Sequence, residues 1–106
     1  MTTLSDRHCQ PNVSRLTAEA AQTLLAEVSD WRIERDTLAK TYPFANFHAT
    51  MAFVNLVAFI AHREDHHPDL AVSYNRCRVT YSTHSVGGLS ENDFICAARI
   101  DQASGA

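Results

Sequence analysis

What this chain of 106 residues has little of narrows the field first. Its three cysteines, Cys9, Cys77 and Cys96, are odd in number and widely spaced, with no CxxC pair. Neither a disulfide framework nor a zinc knuckle is indicated. Basic residues are scarce and scattered: nine Lys and Arg face twelve Asp and Glu, for a net charge of -3 with histidine neutral. That balance argues against a nucleic-acid binder that works by neutralising phosphates. No window approaches the ~18 apolar residues of a membrane span, and the opening MTTLSDRHCQPNVSRL has no apolar signal-peptide core. Repeats, low-complexity tracts and interdomain linkers are missing as well. The expectation is a cytoplasmic protein with reduced thiols, partnered by neither nucleic acid nor membrane.

What is present is ordinary for a globular protein: 45% apolar and 20% charged residues, enough for one modest core. Residues 1–15 read as a polar leader, expected to be mobile, and residues 16–106 as a single domain. His8-Cys9 in the leader supplies two potential metal ligands, which alone make a weak site.

Within the domain, LTAEAAQTLLAEV predicts an amphipathic helix capped by Thr17, with Ala20, Leu24, Leu25 and Val28 on one face, ending near Ser29-Asp30. WRIERDTLAKTYPF changes period: Trp31, Ile33 and Arg35 alternate, then Leu38, Lys40 and Tyr42, predicting two short strands around a turn at Asp36-Thr37 and closed by Pro43. ANFHATMAFVNLVAFIAHRED gives the strongest helix pattern. Phe47, Met51, Val54, Ala58 and Ala61 repeat at helical spacing, and Phe53, Leu56, Val57 and Ile60 broaden the stripe. Pro68 cannot continue it.

Two further strands follow, Leu70-Val72-Tyr74 and Cys77-Val79-Tyr81-Thr83, with a phase shift at Asn75-Arg76 that implies a tight turn or bulge. After Gly87-Gly88, a last helix starts with Ser90 as N-cap and Asp93 at N3, flanked by Leu89 and Phe94 as a staple. The order α-β-β-α-β-β-α predicts an α+β fold, with about four antiparallel strands and three helices on one face. The wide stripe containing Phe47, Met51 and Val54 exceeds what one sheet face covers and predicts a homodimer or homotetramer.

The chemistry gathers at HREDHHPDL, residues 62–70, where His66 and His67 sit side by side at the end of the long helix, and at STHSVGG, where His84 ends a strand. Three readings stand. These are surface histidines at a polar helix end. Or His62 and His66, four apart, form a zinc pair with His84 or an acid. Or they transfer protons to an organic substrate without metal, as imidazoles are suited to do near neutrality.

At HHPDL…YNRCRVTYSTHSVGGLSENDF the sequence resembles the pterin-4a-carbinolamine dehydratase (4a-hydroxytetrahydrobiopterin dehydratase) family. The matching features are His66-His67-Pro68, Tyr74-Asn75, Thr83-His84, and Gly88-Leu89-Ser90 followed by Asp93, with Trp31 and the Phe44-to-Val57 segment upstream. The likeness spans about residues 16–102. It implies the same element order and a dehydratase that eliminates water from 4a-hydroxytetrahydrobiopterin, or a related 4a-hydroxytetrahydropterin, to give quinonoid dihydropterin. That places it in tetrahydrobiopterin recycling, coupled to an aromatic amino acid hydroxylase.

The pterin is then the substrate, and neither a cofactor nor a metal is implied. By position, His66, His67 and His84 match the family's three active-site histidines. His66 and His84 are the expected acid and base about C4a, and His67 the binding or relay group. Asp93 matches an acidic residue beside the site, although its capping position alone accounts for it. Backbone groups from Ser82 through Thr83 to His84 are expected to pair with the pyrimidine ring. Leu70 stands where many relatives carry an aromatic residue, and His62 where many carry an acid. The alternative within the same resemblance is a non-catalytic protein-binding or assembly module.

Overall fold

The computed structural model describes residues 3–105. Among them the predicted order is observed: α1 (Ala18–Leu25), β1 (Arg32–Glu34), β2 (Thr37–Pro43), α2 (Phe47–Glu64), β3 (Asp69–Ser73), β4 (Arg76–Tyr81) and α3 (Glu91–Ser104). The four strands form one antiparallel sheet in the order β1-β2-β4-β3. No described helix is long and apolar enough to cross a membrane.

Both hairpins turn over two residues. Arg35-Asp36 joins Glu34 to its partner Thr37, one residue earlier than the sequence pattern suggested, and Arg35 takes the turn's left-handed conformation at φ 57°. Tyr74-Asn75 joins Ser73 to Arg76 and accounts for the phase shift there. In the β2–β4 register, Leu38, Lys40 and Tyr42 lie opposite Tyr81, Val79 and Cys77. All six are buried. This is the sheet's core face, with side chains of alternate residues pointing the same way.

A charged residue in that row needs a partner, since a lone buried ammonium is costly. Lys40 finds it in Asp101 of α3 at 2.9 Å, with the Ser29 carbonyl also at 2.9 Å. The Trp31 indole donates to the same carboxylate at 2.9 Å, and the Tyr42 hydroxyl donates to it as well. The Ser29–Trp31 segment and β2 are thereby pinned to one buried carboxylate of α3.

The helices begin where their caps stand. Thr17 accepts from the Ala20 amide at 3.1 Å and Asn46 from the Ala49 amide at 2.8 Å. Ser90 and Asp93 close a reciprocal capping box on α3. α1 stops three residues short of Val28, because the amides of Glu27 and Val28 bond back only three residues in a tight final turn.

The core face of α2 differs from the predicted stripe. It runs through Thr50, Phe53, Val57, Ile60, Ala61 and Glu64, whereas Phe47 is half exposed and Ala58 is exposed. The helix is apolar around most of its circumference, so periodicity does not single out a face. Thr50 turns inward because its hydroxyl donates to the Asn46 and Tyr74 carbonyls at 2.9 Å each.

The segment read as a mobile leader carries specific contacts. Leu4 is buried in the core. The Cys9 amide donates to Glu64 at 2.7 Å, and Gln10 exchanges two hydrogen bonds with the Asn92 side chain at 3.0 and 2.8 Å. A polar segment can lie still when polar partners await it, and these partners sit on α2 and α3.

Candidate active site

The site is built where α2 ends. Asp65 adopts the left-handed conformation, φ 51° and ψ 44°. Its amide bonds to the His62 carbonyl at 3.3 Å, and the His66 amide reaches back to the Ala61 carbonyl at 3.1 Å. This is the paired arrangement of a Schellman cap, made with aspartate in place of the usual glycine. It turns the chain sharply before His66, and Pro68 then commits it to β3.

His66 thus lies outside the helix. His62 remains exposed on α2, and the spacing of four no longer places the two on one helical face. Among the described residues, no three His, Cys, Asp or Glu side chains are grouped to hold a metal ion.

Instead His66 faces α3. Its Nε2 lies 2.6 Å from Oδ1 of Asp93. The carboxylate is fully buried and the imidazole nearly so, with 12% of its side chain exposed. The other Asp93 oxygen, Oδ2, accepts from the Ser90 amide at 2.9 Å and the Thr83 hydroxyl at 2.8 Å. Thr83 and Ser90 hydroxyls lie 2.7 Å apart. Asp93 therefore serves both roles considered from sequence, one oxygen closing the helix cap and the other holding the imidazole.

Burial works against charge on His66, but the hydrogen bond and negative charge of Asp93 outweigh it, and its pKa is raised above the ordinary value. Tyr81 covers one face of the imidazole, with ring centroids 5.2 Å apart and planes 14° apart. Its hydroxyl donates to the His66 carbonyl at 3.3 Å. Ring and backbone are both held.

The other two histidines are exposed. His67 follows directly on His66. His84 opens a short 3-10 turn, His84–Val86, which Gly87 closes at φ 66° by donating to the His84 carbonyl at 3.1 Å. Thr83, next to His84, is tied to Asp93, so the two histidine-bearing segments meet on one carboxylate. Thr83 also donates its amide to the Gly88 carbonyl at 2.8 Å. Its N–H is spent inside the loop, which leaves half-buried Ser82 as the nearer source of free backbone groups. A Cβ on Gly88 would stand 2.6 Å from Nε of Arg15, whose exposed, flexible side chain packs over the glycine.

Sequence reasoning missed a second histidine–carboxylate contact behind the first. Glu64, buried at the end of α2, accepts from Cys9 as above and lies 2.9 Å from Nδ1 of His8. Burial opposes its ionisation, but the Cys9 amide, His8 and Arg99 outweigh that effect and hold its pKa below the usual carboxylate value. Nothing in the local pattern signals this, because the partners are 55 and 56 residues apart in sequence.

A fixed imidazole with a carboxylate behind it, beside two solvent-reaching imidazoles, can hold, donate and accept protons near neutrality. Against known proteins, the family described as "Pterin 4 alpha carbinolamine dehydratase" matches residues 14–103. The chain is 51% identical to a protein of Nitrosomonas eutropha named "Putative pterin-4-alpha-carbinolamine dehydratase", covering 92% of this chain and 90% of that one. It is 48% identical to one of the same name from Bdellovibrio bacteriovorus, over 98% and 90% of the two chains.

Among solved structures it superposes on a "transcriptional coactivator/pterin dehydratase" from Brucella melitensis with TM-score 0.81 and 28% identity, covering 84% of this chain and 97% of that one. A pterin dehydratase-like protein described as a RuBisCO assembly factor shares the fold at TM-score 0.59 and 22% identity, over 72% and 88%. On the strength of the matched residues and the relatives' near-complete coverage, the chain belongs to the pterin 4 alpha carbinolamine dehydratase family.

Proposed function

We propose that the chain is a dehydratase that removes water from 4a-hydroxytetrahydropterins, by histidine acid/base chemistry without a metal. The observation that carries this reading is the His66–Asp93 pair in a chain of this family. Elimination requires an acid for the departing C4a hydroxyl and a base or relay for the proton leaving N5. His66, whose pKa Asp93 raises, suits the acid. Its Nε2 is committed to the carboxylate, so the transferable proton is the one on Nδ1. His84, on the adjoining loop, is assigned the base, and exposed His67 binds the pterin or passes its proton to water. Asp93 orients His66, and Thr83 holds Asp93. Free backbone groups at Ser82 are assigned to the pterin's pyrimidine edge.

The proposal extends to a cytoplasmic setting, coupling to an aromatic amino acid hydroxylase, and self-association as a homodimer or homotetramer. Exposed Phe47 and Tyr74, whose rings stack with centroids 6.4 Å apart, support the last point, since large apolar side chains paired at a surface mark contact sites, and Phe59 and Val72 are exposed as well. The same residues favour the competing reading, a protein-binding module that needs no catalysis. Stopped-flow dehydration of freshly generated 4a-hydroxytetrahydropterin separates the two. The reading expects acceleration that chelator leaves untouched and that falls in His66→Ala, His67→Ala and His84→Ala. Chelator-sensitive acceleration would instead point to a metal, and no acceleration by folded protein to the binding module.

A further inference from the structure

Behind the histidine site, two cysteines that are 87 residues apart in sequence meet across the leader and α3. Their Sγ atoms stand 3.5 Å apart. Cys96 is fully buried, whereas Cys9 is half-buried and its sulfur also lies 3.6 Å from the Asn92 carbonyl. The third cysteine, Cys77, is buried on the core face of β4. All three are free thiols.

The position of Cys9 is set from both sides. Its amide is held by Glu64 and its successor Gln10 by Asn92. Upstream, Arg7 pairs with Glu91 at 2.7 Å, and the Arg7 carbonyl accepts from Arg99 at 2.7 Å. Disulfide formation needs the sulfurs about 2 Å apart, a closure of roughly 1.5 Å from the observed contact. That closure falls to the side chain of half-buried Cys9, since Cys96 is fully enclosed.

We propose that Cys9 and Cys96 form an oxidation site, at which a hydroperoxide converts the thiol pair to a disulfide that fastens the leader to α3. The step balances as follows. The Cys9 sulfur, as thiolate, attacks the hydroperoxide, forming an S–O bond and breaking the O–O bond. The alcohol or water formed takes one proton. The Cys96 sulfur then attacks the resulting Cys9 sulfenic acid, so that the S–S bond forms and the S–O bond breaks. Hydroxide leaves and takes the Cys96 proton as a second water. Two electrons pass from the sulfurs to the peroxide, and a dithiol reductant reverses the change.

The contact between the sulfurs lowers the Cys96 pKa against the burial that opposes charge there, and the same contact together with burial raises that of Cys9. The pair's first negative charge therefore rests on Cys96, and the reactive thiolate forms at Cys9 only when the shared proton crosses the 3.5 Å contact to Cys96. Tyr81, the residue stacked on His66, also borders the thiol pair. The site stands independently of what the histidines do.

The test uses the full chain treated with hydrogen peroxide, then intact mass, thiol counting under denaturing conditions and peptide mapping. Titratable thiols are expected to fall from three to one, leaving Cys77, with a mass loss of two hydrogens and a Cys9–Cys96 cross-linked peptide. Dithiothreitol restores all three. The oxidised form melts higher, by more than about 5 °C, because the cross-link closes a long loop in the unfolded chain.

In Cys9→Ser, a near-isosteric change at a half-buried residue on the edge of the core, the cross-link is absent and no two-hydrogen loss occurs. Three results would overturn the proposal. One is survival of all three thiols at peroxide levels that consume free cysteine. Another is oxygen addition at Cys9 without cross-linking. The last is a cross-link that persists in Cys9→Ser.

Discussion

Replacing Asp93 with asparagine removes a charge from behind His66 while keeping the shape of the side chain. The amide oxygen can still accept from the Ser90 amide and Thr83 hydroxyl, so the cap of α3 is retained. What is lost is the charged partner at 2.6 Å from the imidazole. A hydrogen bond to a charged group contributes about 1.5–3 kcal/mol. Because folding raises the His66 pKa, this stabilisation is fully present below the unfolded histidine value of about 6.5 and fades as pH rises through the folded value.

Asp93→Asn is therefore expected to lose about 1.5–3 kcal/mol at pH 5.5, and distinctly less well above neutrality. For a domain of this size, that is a drop in Tm on the order of 10 °C in acid. Thermal melts across pH, with the His66 ring protons followed by NMR, provide the assay. The His66 midpoint should fall in the variant, and because His66 is assigned the acid, the alkaline limb of the dehydratase pH profile should move down with it. An unchanged midpoint, or a stability gap that is the same at pH 5.5 and pH 8.5, would refute the reasoning.

Other consequences follow from the same contacts. Asp101→Ala strands the buried Lys40 ammonium and is expected to cost about 3–5 kcal/mol in denaturant unfolding, while Lys40→Met with Asp101→Leu recovers much of that loss. For Glu64, whose pKa folding lowers, the stabilisation is present above its unfolded value and lost as pH falls through the folded one. Glu64→Gln should therefore be less stable than wild type at neutral pH and converge with it in strong acid. Gly88→Ala brings its new Cβ against the flexible, exposed end of Arg15, which can move aside, so a loss well below about 1 kcal/mol is expected in thermal melts; a larger loss that persists with Arg15→Ala would mean the clash is elsewhere.

Much of this was legible in the sequence where the signal is local. The caps at Thr17 and Ser90 and the alternating rows of β2 and β4 each depend on neighbours within a few residues, and each falls where expected. Lys40 was even placed in the correct row, although its partner Asp101, 61 residues away, was not foreseeable.

Three features were out of reach for physical reasons. The core face of α2 could not be chosen because the helix is apolar nearly all round. The turn that removes His66 from α2 depends on Asp65 adopting a conformation that sequence patterns assign first to glycine. The contacts of the leader were not foreseeable because their partners, Glu64, Asn92 and Cys96, lie far along the chain. Within the site, the pairing of His66 with Asp93 was the step missing from the sequence, since the capping role of Asp93 is complete in itself.

The central claim is that these histidines carry out a dehydration. The most direct measurement compares the wild type with a His66→Ala, His67→Ala, His84→Ala triple variant, its fold checked by circular dichroism, for the rate of 4a-hydroxytetrahydropterin dehydration above the uncatalysed reaction. Loss of positioned acid and base groups is expected to reduce that acceleration by about 10²-fold or more. A folded triple variant that dehydrates the pterin as fast as the wild type would contradict the account.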